Sequence, residues 1–253
     1  MKISDNTVLI TGGGSGIGRR LAEGFHALGN TVIIAGRRRA ALDEVAAANP
    51  GMKVAVLDVA DGDAIRAFAA QVTNEHPDLN VLINNAGIMI AETLTAQSDD
   101  LVDMEATVAT NLLGPIRLTA ALLPHLLRQA QSTIVNVSSG LAFVPLASTP
   151  TYAATKAAIH SYTISLRRQL RGTRTEVIEL IPPGVQTDLM PGHATNPVMM
   201  PLEDFIFEAM NLFTKQPTPA EICVERVNFQ RRAEAEGRFD EVLNVLNPQV
   251  EPA

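Results

Sequence analysis

The stretch TGGGSGIG, from Thr11 to Gly18, is rich in glycine and directly follows the apolar run Val8-Leu9-Ile10. The apolar run predicts a strand, and the residues from about 16 to 28 show a helical pattern. Glycines at a strand-to-helix turn leave room for a ligand to approach the backbone. A helix N-terminus also offers unpaired N–H groups and a partial positive charge, so this turn predicts a phosphate-binding site.

Three of the glycines have separate tasks in dinucleotide-binding turns. Gly12 permits the tight turn, Gly16 lets a pyrophosphate approach the backbone, and Gly18 lets helix and strand pack closely. The spacing departs from G-x-G-x-x-G, and no acidic residue ends the second strand. The turn alone is therefore weak evidence, and other positions have to decide between a cofactor site and a simple turn.

Short apolar runs alternate with helical patterns along most of the chain, which predicts an α/β fold with a doubly wound parallel sheet, Rossmann-like. Ligands bind such sheets outside the carboxyl ends of the strands. We expect a single domain over residues 1–253. The predicted strands are 7–11, 31–35, 53–57, 81–84, 133–137 and 176–181, and the predicted helices are about 16–28, 38–48, 62–74, 99–130 and 151–171.

Composition limits the classes of protein. The 253 residues are 46% hydrophobic and 19% charged, which is too apolar for a disordered chain. The net charge of -7 argues against nucleic-acid binding, and one cysteine allows no internal disulfide. We find no signal peptide and no apolar run of roughly 18 to 20 residues that would cross a bilayer, so we expect a cytoplasmic protein. We also expect no bound metal.

The chain changes character after Ile181, where prolines and methionines become frequent in PPGVQTDLMPGHATNPVMMP. Helical patterns follow at 203–213 and 219–236. A proline-rich loop followed by an apolar helix predicts a substrate lid over residues 187–214. The expected apolar substrate pocket has the following lining: Ile88, Met89, Leu141, Phe143, Met190, Met199 and Phe205.

Three motifs together resemble the short-chain dehydrogenase/reductase family over about residues 7 to 190. TGGGSGIG resembles the family's TGxxxGIG turn, NNAG at Asn84 to Gly87 its post-strand motif, and YAATK at Tyr152 to Lys156 its YxxxK. Ser139 precedes the tyrosine by the thirteen residues that the family shows, whereas Ser138 does not keep that spacing. The resemblance implies that Asn111, Ser139, Tyr152 and Lys156 form a catalytic set.

Elementary electrostatics supports part of that assignment. Tyr152 and Lys156 lie at i and i+4 of a predicted helix, so their side chains share a face. An ammonium about 4 Å from a phenol favours the phenolate by up to ~4 kcal/mol at an effective dielectric near 20. We therefore expect the pKa of Tyr152 near neutrality, suited to general acid and base catalysis. By resemblance, Ser139 would bind the substrate oxygen, Lys156 the nicotinamide ribose, and Asn111 a water of a proton relay.

The cofactor preference follows from the end of the second strand. Gly36 stands where NAD-selective family members carry an acidic residue, and Arg37 and Arg38 follow it, so we expect NADP(H). Arg39 is interpreted as a solvated helix charge, and Asp58 as an adenine contact or a helix cap. The full cofactor-binding set implied by the resemblance is Gly12, Ser15, Gly16, Ile17, Gly18, Arg37, Arg38, Asp58, Val59, Asn85, Ala86, Gly87, Tyr152, Lys156, Pro182, Gly184, Val185 and Thr187.

The resemblance weakens toward the C-terminus. Pro183 replaces a glycine of the family's Pro-Gly-x-Val-x-Thr run, and the charged helical pattern after 219 stands where many members place a seventh strand. MPLEDFI, Met200 to Ile206, resembles a subgroup of the family. We expect a homodimer through helices 99–130 and 151–171, with a homotetramer as the alternative.

Three functions remain open at this point. The first is a carbonyl reductase or alcohol dehydrogenase acting on a hydrophobic small molecule. The second is a non-catalytic NADP-binding sensor or scaffold, which would have no need of an intact Ser139, Tyr152 and Lys156. The third is a reductase of C=N or activated C=C bonds, which would use the same hydride donor.

Overall fold

The computed structural model describes residues 1–96 and 101–248. Its centre is a parallel sheet with the strand order β3-β2-β1-β4-β5-β6-β7. The strands are β1 Thr7–Thr11, β2 Thr31–Gly36, β3 Lys53–Val56, β4 Leu79–Asn84, β5 Ser132–Val137, β6 Thr175–Ile181 and β7 Glu221–Cys223. The predicted α/β fold with a doubly wound parallel sheet is confirmed.

Helices cover both faces of this sheet. They are α1 Gly16–Ala27, α2 Arg39–Ala48, α3 Gly62–Glu75, α4 Val102–Val108, α5 Gly114–Leu126, α6 Pro150–Gln169, α7 Leu202–Phe213, α8 Asn228–Arg231 and α9 Phe239–Leu246. A π-helical turn, Ala109–Leu113, joins α4 to α5. The two residues 99 and 100 of the predicted helix 99–130 lie outside the described residues.

The alternation of side chains along each strand builds two cores. Val8 and Ile10 of β1 point to the face covered by α1, α2 and α7, whereas Leu9 points to the face covered by α3, α5 and α6. All three side chains are fully buried. Strands that are covered on both faces need continuous apolar sequence, which explains the runs that predicted them.

The strand order reverses beside β1, because β2 pairs with one edge of β1 and β4 with the other. A crevice forms at such a switch point, outside the carboxyl ends of the strands. The glycine-rich turn after β1 and the residues after β4 and β5 therefore meet at one end of the sheet.

The prediction of a helix over 219–236 was wrong for its first residues and is confirmed only over the short stretch 225–231. Residues 221–223 form β7, which pairs with β6 in the register Glu179↔Glu221, Leu180↔Ile222 and Ile181↔Cys223. Ile222 is fully buried in the core, so the free edge of β6 and the apolar burial outweigh the helical propensity of the flanking charged residues. Helix forms only afterwards, in α8.

The second half of the predicted lid packs into the core. Phe205 and Phe213 of α7 are fully buried, and the ring of Phe213 meets that of Phe25 edge-to-face at 5.6 Å. The part of 187–214 that borders the cavity described below is its first half, before α7. Movement of that half as a lid stays a prediction.

One helical segment, Val102–Leu126, is long and apolar enough to cross a membrane by length and composition alone. The sequence expectation of no such segment was therefore too strict. In this fold the segment packs against α3, α6 and the central strands, and Leu118 and Leu122 are fully buried there. Its apolar character thus has an explanation within the core.

Candidate active site

The glycine-rich turn adopts a backbone that only glycine accommodates easily. Gly12 and Gly16 have φ of 70° and 52°, in the left-handed region. A Cβ at Gly18 would lie 2.3 Å from Nδ2 of Asn85 and 2.4 Å from the carbonyl oxygen of Gly12. Gly18 therefore permits the close packing of α1 on the strand ends that its motif position predicted.

The same turn is fastened to the loop after β4. The hydroxyl of Thr11 accepts hydrogen bonds from the backbone N–H groups of Asn85 at 3.0 Å and Ala86 at 3.1 Å. The Asn85 side chain donates to the carbonyl oxygen of Thr11 at 2.9 Å. Two of the three motifs are thus joined by direct hydrogen bonds, which sequence spacing could not specify.

The first turn of α1 is open to a ligand. Its N-cap, Ser15, makes no side-chain cap hydrogen bond, and no acidic residue occupies the first turn. The N–H groups and the positive end of the helix dipole are suited to an anion such as a pyrophosphate. The residues present therefore fit the dinucleotide that the sequence predicts.

One cavity of about 1180 Å³ connects this turn to the candidate catalytic side chains. Every predicted cofactor-binding residue lies on its wall, and so does Ser139. Asn111 does not, because it is buried behind the wall with only 1% of its surface exposed. A cavity of this size has room for a dinucleotide and a small substrate together.

Ser139 and Tyr152 meet at the carboxyl end of β5. Each residue is only 7% exposed, and the Ser139 hydroxyl is close enough to the Tyr152 phenol to lower its pKa. The Ser139 hydroxyl oxygen also accepts the backbone N–H of Leu141 at 3.1 Å, which leaves its O–H to donate. Two neighbouring hydroxyl groups therefore belong to the wall of one cavity, as the binding of one substrate oxygen requires.

Lys156 lies one helical turn after Tyr152 on α6, on the same face. Its ammonium donates to the carbonyl oxygen of Val137 at 2.9 Å and lies 5.5 Å from the centroid of the Tyr152 ring. A Cβ at Gly87 would be 3.8 Å from this ammonium. The lysine thus lies between the end of β5, the tyrosine and the loop after β4.

The prediction of a near-neutral pKa for Tyr152 was wrong for this structure. Burial raises the pKa of Tyr152 to about 12, and the hydrogen bond from Ser139 offsets only part of that rise. Burial also lowers the pKa of Lys156 to about 8. Removal of both groups from water therefore outweighs their mutual attraction.

Asn111 lies in the π-helical turn between α4 and α5, a feature often present at functional sites. Its side-chain oxygen accepts the N–H of Ile88 at 2.9 Å, and its amide donates to the carbonyl oxygen of Ile88 at 2.8 Å. The side chain therefore fixes the loop after β4. The water-binding role that the family resemblance implies stays a prediction.

The cluster of arginines after β2 divides into two groups. Arg37 and Arg38 line the cavity, and Arg38 donates to the Ser15 hydroxyl at 3.2 Å. Arg39 instead forms an exposed ion pair with Asp43 at 2.8 Å. Arg38 thus borders the phosphate-binding turn, Arg37 lies on the wall of the same cavity, and Arg39 pairs on the surface of α2.

Asp58, also on the cavity wall, does not cap the helix that follows it. Its carboxylate accepts the N–H of Ala60 at 2.9 Å, whereas Asp61 caps α3 by accepting from Asp63 and Ala64. The helix-cap alternative for Asp58 is therefore wrong.

The loop after β6 closes the cavity from the other side. The carbonyl oxygen of Pro182 accepts the N–H of Gly140 at 2.8 Å. The carbonyl oxygen of Gly184 accepts the N–H of Met200, also at 2.8 Å. Pro183 offers no N–H, so backbone donation begins at Gly184. This loop lies against the glycine-rich turn, since a Cβ at Gly16 would be 3.4 Å from the side chain of Thr187.

A buried polar network lies directly behind Ser139. Ser138 donates to the fully buried carboxylate of Glu179 at 2.5 Å, and His160 lies 2.8 Å from the same carboxylate. His160, Glu179 and Glu221 are close enough to one another to hold a metal ion. Glu221, however, is paired with Arg231 at 2.8 Å, so both carboxylates already have partners. Ser138 thus has a structural position, in keeping with the motif spacing that favoured Ser139.

The substrate end of the cavity differs in part from the prediction. Ile88, Met89, Leu141 and Met199 line it, whereas Phe205 lies in the core and Phe143 packs against Arg231 and His160. Among the described residues Met190 is also absent from the wall, while His193 lies on it. The wall has further members that sequence reasoning missed: Asp103, Ala106, Thr110, Leu146, Val198, Arg226, Phe229, Gln230, Val245 and Leu246. No motif marks these residues, because only tertiary packing brings them there.

The fold and the site together define a nucleotide-binding oxidoreductase with a Ser-Tyr-Lys set. The short chain dehydrogenase family model matches residues 6–196, and the chain belongs to this family. An uncharacterized oxidoreductase, DltE, from Bacillus subtilis (strain 168) is 46% identical over 189 residues, 75% of each chain.

Solved structures agree with this assignment. A short-chain dehydrogenase from Streptomyces avermitilis has 26% identity and a TM-score of 0.81, with 96% of each chain covered. The closed form of serine dehydrogenase complexed with NADP+ has 29% identity and a TM-score of 0.75, covering 85% of this chain and 92% of that one.

Proposed function

We propose that the protein is an NADP(H)-dependent oxidoreductase that interconverts a carbonyl and an alcohol on a hydrophobic small molecule. The observation that carries this proposal is that Ser139 and Tyr152 lie side by side on the wall of the cavity that also contains the glycine-rich turn. Two neighbouring hydroxyls in a partly apolar cavity can bind and protonate a carbonyl oxygen.

Each side chain then has one task. The nicotinamide, when bound, supplies or accepts the hydride. Tyr152 donates its proton to the carbonyl oxygen during reduction and accepts one from the alcohol in the reverse direction. Ser139 donates a hydrogen bond to the same oxygen. The charge of Lys156 stabilises the phenolate that forms when Tyr152 has given up its proton.

The positions of Arg37 and Arg38 support NADP(H) rather than NAD(H). Both line the cavity, Arg38 contacts Ser15 of the phosphate-binding turn, and Gly36 presents no carboxylate that would repel a 2′-phosphate. A guanidinium binds a phosphate with two parallel hydrogen bonds. The serine dehydrogenase that resembles this chain was solved with NADP+, which is in keeping with this preference.

We also propose that the enzyme is a cytoplasmic homodimer, with a homotetramer as the alternative, and that helices α4 to α6 form the contact. Ile164 on α6 and Leu127 after α5 are large apolar residues that are 46% and 41% exposed. Light scattering after size-exclusion chromatography would measure the mass directly.

Two other functions use the same cavity. A non-catalytic NADP-binding sensor would bind the cofactor and turn over no substrate, and its hydroxyl pair would serve no purpose. A reductase of C=N or activated C=C bonds would accept hydride donation but differ in substrate. Only the carbonyl proposal uses the neighbouring hydroxyls of Ser139 and Tyr152 to bind an oxygen.

The deciding experiment is NADPH oxidation by the purified protein across aliphatic, aromatic and cyclic ketones, aldehydes, diketones, imines and enones. Tyr152→Phe should bind NADPH normally and lose ~10² to 10⁴ in turnover. Tyr162→Phe is the matched control, because Tyr162 lies on the same helix and is not on the cavity wall. NADPH binding without turnover of any compound would favour the sensor, and equal losses in both variants would refute the role of Tyr152.

A further inference from the structure

Gln230, on α8, is a polar side chain at the substrate end of the cavity. It lines the cavity wall and is 7% exposed. Its place in the fold depends on β7 and α8, which bring the C-terminal part of the chain against the loop after β5. The three terminal side-chain atoms lie against Gly140, where a Cβ would be 2.4 to 3.0 Å from them. Gly140 directly follows Ser139, so the amide lies close to the proposed binding point of the carbonyl oxygen.

The amide of Gln230 has no hydrogen-bond partner among residues 1–96 and 101–248. On its backbone, the carbonyl oxygen accepts the N–H of Ala233 at 3.2 Å. The adjacent backbone of Gly140 is occupied, since its N–H donates to Pro182 and its carbonyl oxygen accepts from Phe143 and Val144. The amide atoms are not sealed within the protein, and they remain open to the cavity.

The Gln230 amide lies at an otherwise largely apolar end of the cavity, so its hydrogen bonding affects which ligands bind there. Met89, Leu141, Leu146 and Phe229 are apolar members of the same wall. A ligand that fills this end removes water from the amide, and a buried amide without a partner is costly. A site with such a group discriminates strongly against an analogue that cannot form the hydrogen bond.

We infer that Gln230 is a specificity-determining residue and that the substrate is a bifunctional carbonyl compound. This inference rests on the proposed function and deepens it. The second oxygen, a hydroxyl or another carbonyl within a few bonds of the reacting carbonyl, binds the Gln230 amide, while the remainder of the substrate contacts the apolar wall. An amide both donates and accepts, so either type of oxygen finds a partner.

Matched ketones test the inference without any variant. Acetoin and methyl isopropyl ketone differ by a hydroxyl in place of a methyl group, and α-hydroxypropiophenone and isobutyrophenone form an aromatic pair with the same difference. The wild-type enzyme should favour the hydroxyketone of at least one pair by about tenfold or more in kcat/KM. A ratio near one in both pairs would overturn the inference and leave the proposed function standing. No turnover of any ketone, despite NADPH binding, would overturn both.

Gln230→Met then identifies the residue responsible. Methionine keeps the length of the side chain and removes the amide, so the preference for the hydroxyketone should fall at least tenfold while the Kd for NADPH is unchanged. Gln71→Met is the control, because Gln71 on α3 bonds to Glu75 at the surface. An unchanged preference in Gln230→Met, with NADPH still bound, would show that Gln230 only packs against Gly140.

Discussion

The ammonium of Lys156 donates a hydrogen bond of 2.9 Å to the carbonyl oxygen of Val137. This bond joins the helix that carries Tyr152 to the strand that ends beside Ser139. The lysine is 4% exposed, and the same burial lowers its pKa to about 8. Because burial raises the pKa of Tyr152 to about 12, the lysine loses its proton first as the pH rises.

This order of pKa values predicts the pH dependence of carbonyl reduction. Tyr152 keeps its proton throughout the accessible range, so the acid is always present. Lys156 is mostly charged below pH 8 and mostly neutral above pH 8. A neutral lysine no longer stabilises the phenolate that forms on Tyr152. The value of kcat/KM should be flat between about pH 6 and 7.5 and fall by up to about tenfold per unit above 8, measured by NADPH oxidation.

Alcohol oxidation should instead rise with pH below pH 8, since it needs the deprotonated Tyr152 and that form increases with pH. Lys156→Met is the control. Because this variant has no titrating lysine, the fall in kcat/KM above pH 8 should be absent from its remaining reduction activity. A reduction profile that stays flat to pH 10 and falls only beyond it would assign the fall in kcat/KM to Tyr152 and contradict the role given to Lys156.

Arg37→Ala should distinguish the two nicotinamide cofactors. Loss of one charge-assisted contact to the 2′-phosphate should weaken NADPH binding about ten- to hundredfold and leave NADH binding nearly unchanged. Fluorescence titration of both cofactors measures the ratio. Arg39→Ala is the matched control, since Arg39 pairs with Asp43 and is not on the cavity wall. Equal losses of NADPH and NADH in Arg37→Ala would refute the assignment.

Gly36→Asp should reverse the cofactor preference. A Cβ at Gly36 meets only Cδ2 of Leu42, at an ordinary contact distance of 3.7 Å, so the backbone accepts a side chain there. A carboxylate at the end of β2 repels a 2′-phosphate and can bind the ribose hydroxyls of NADH. The ratio of the two Kd values should move by more than tenfold toward NADH. An unchanged ratio would mean that the 2′-phosphate binds elsewhere.

The sequence predicted the sheet well because its central strands are covered on both faces. Such strands need uninterrupted apolar runs, and the six runs match β1 to β6 within two residues at either end. β7 was missed for the converse reason. Its three residues, Glu221 to Cys223, form a strand only through pairing with β6, and their charged neighbours display a helical pattern.

The candidate site was predictable where chemistry depends on local spacing. Tyr152 and Lys156 share a helix face, and the glycines lie in one turn, so sequence distance fixes their geometry. The pKa of Tyr152 was not predictable, because the extent of burial depends on the whole tertiary structure. Gln230 was missed for a similar reason, since 90 residues separate it from Gly140, against which it packs.

The last prediction concerns the glycine-rich turn itself and compares two glycines of α1. Gly18→Ala would place a Cβ 2.3 Å from Nδ2 of Asn85 and 2.4 Å from the carbonyl oxygen of Gly12, and the second contact is with backbone that cannot yield without moving the turn. Gly24→Ala would meet only the flexible end of Met210 at 3.4 Å, and alanine favours the helix by up to about 1 kcal/mol. We therefore expect Gly18→Ala to lower the melting temperature and weaken NADPH binding at least tenfold, while Gly24→Ala binds NADPH normally and melts at the same or a higher temperature. Thermal unfolding with and without NADPH measures both effects. Normal cofactor binding by Gly18→Ala would mean that the turn does not need this close approach between α1 and the end of β1, and the site would have to be placed elsewhere in the cavity.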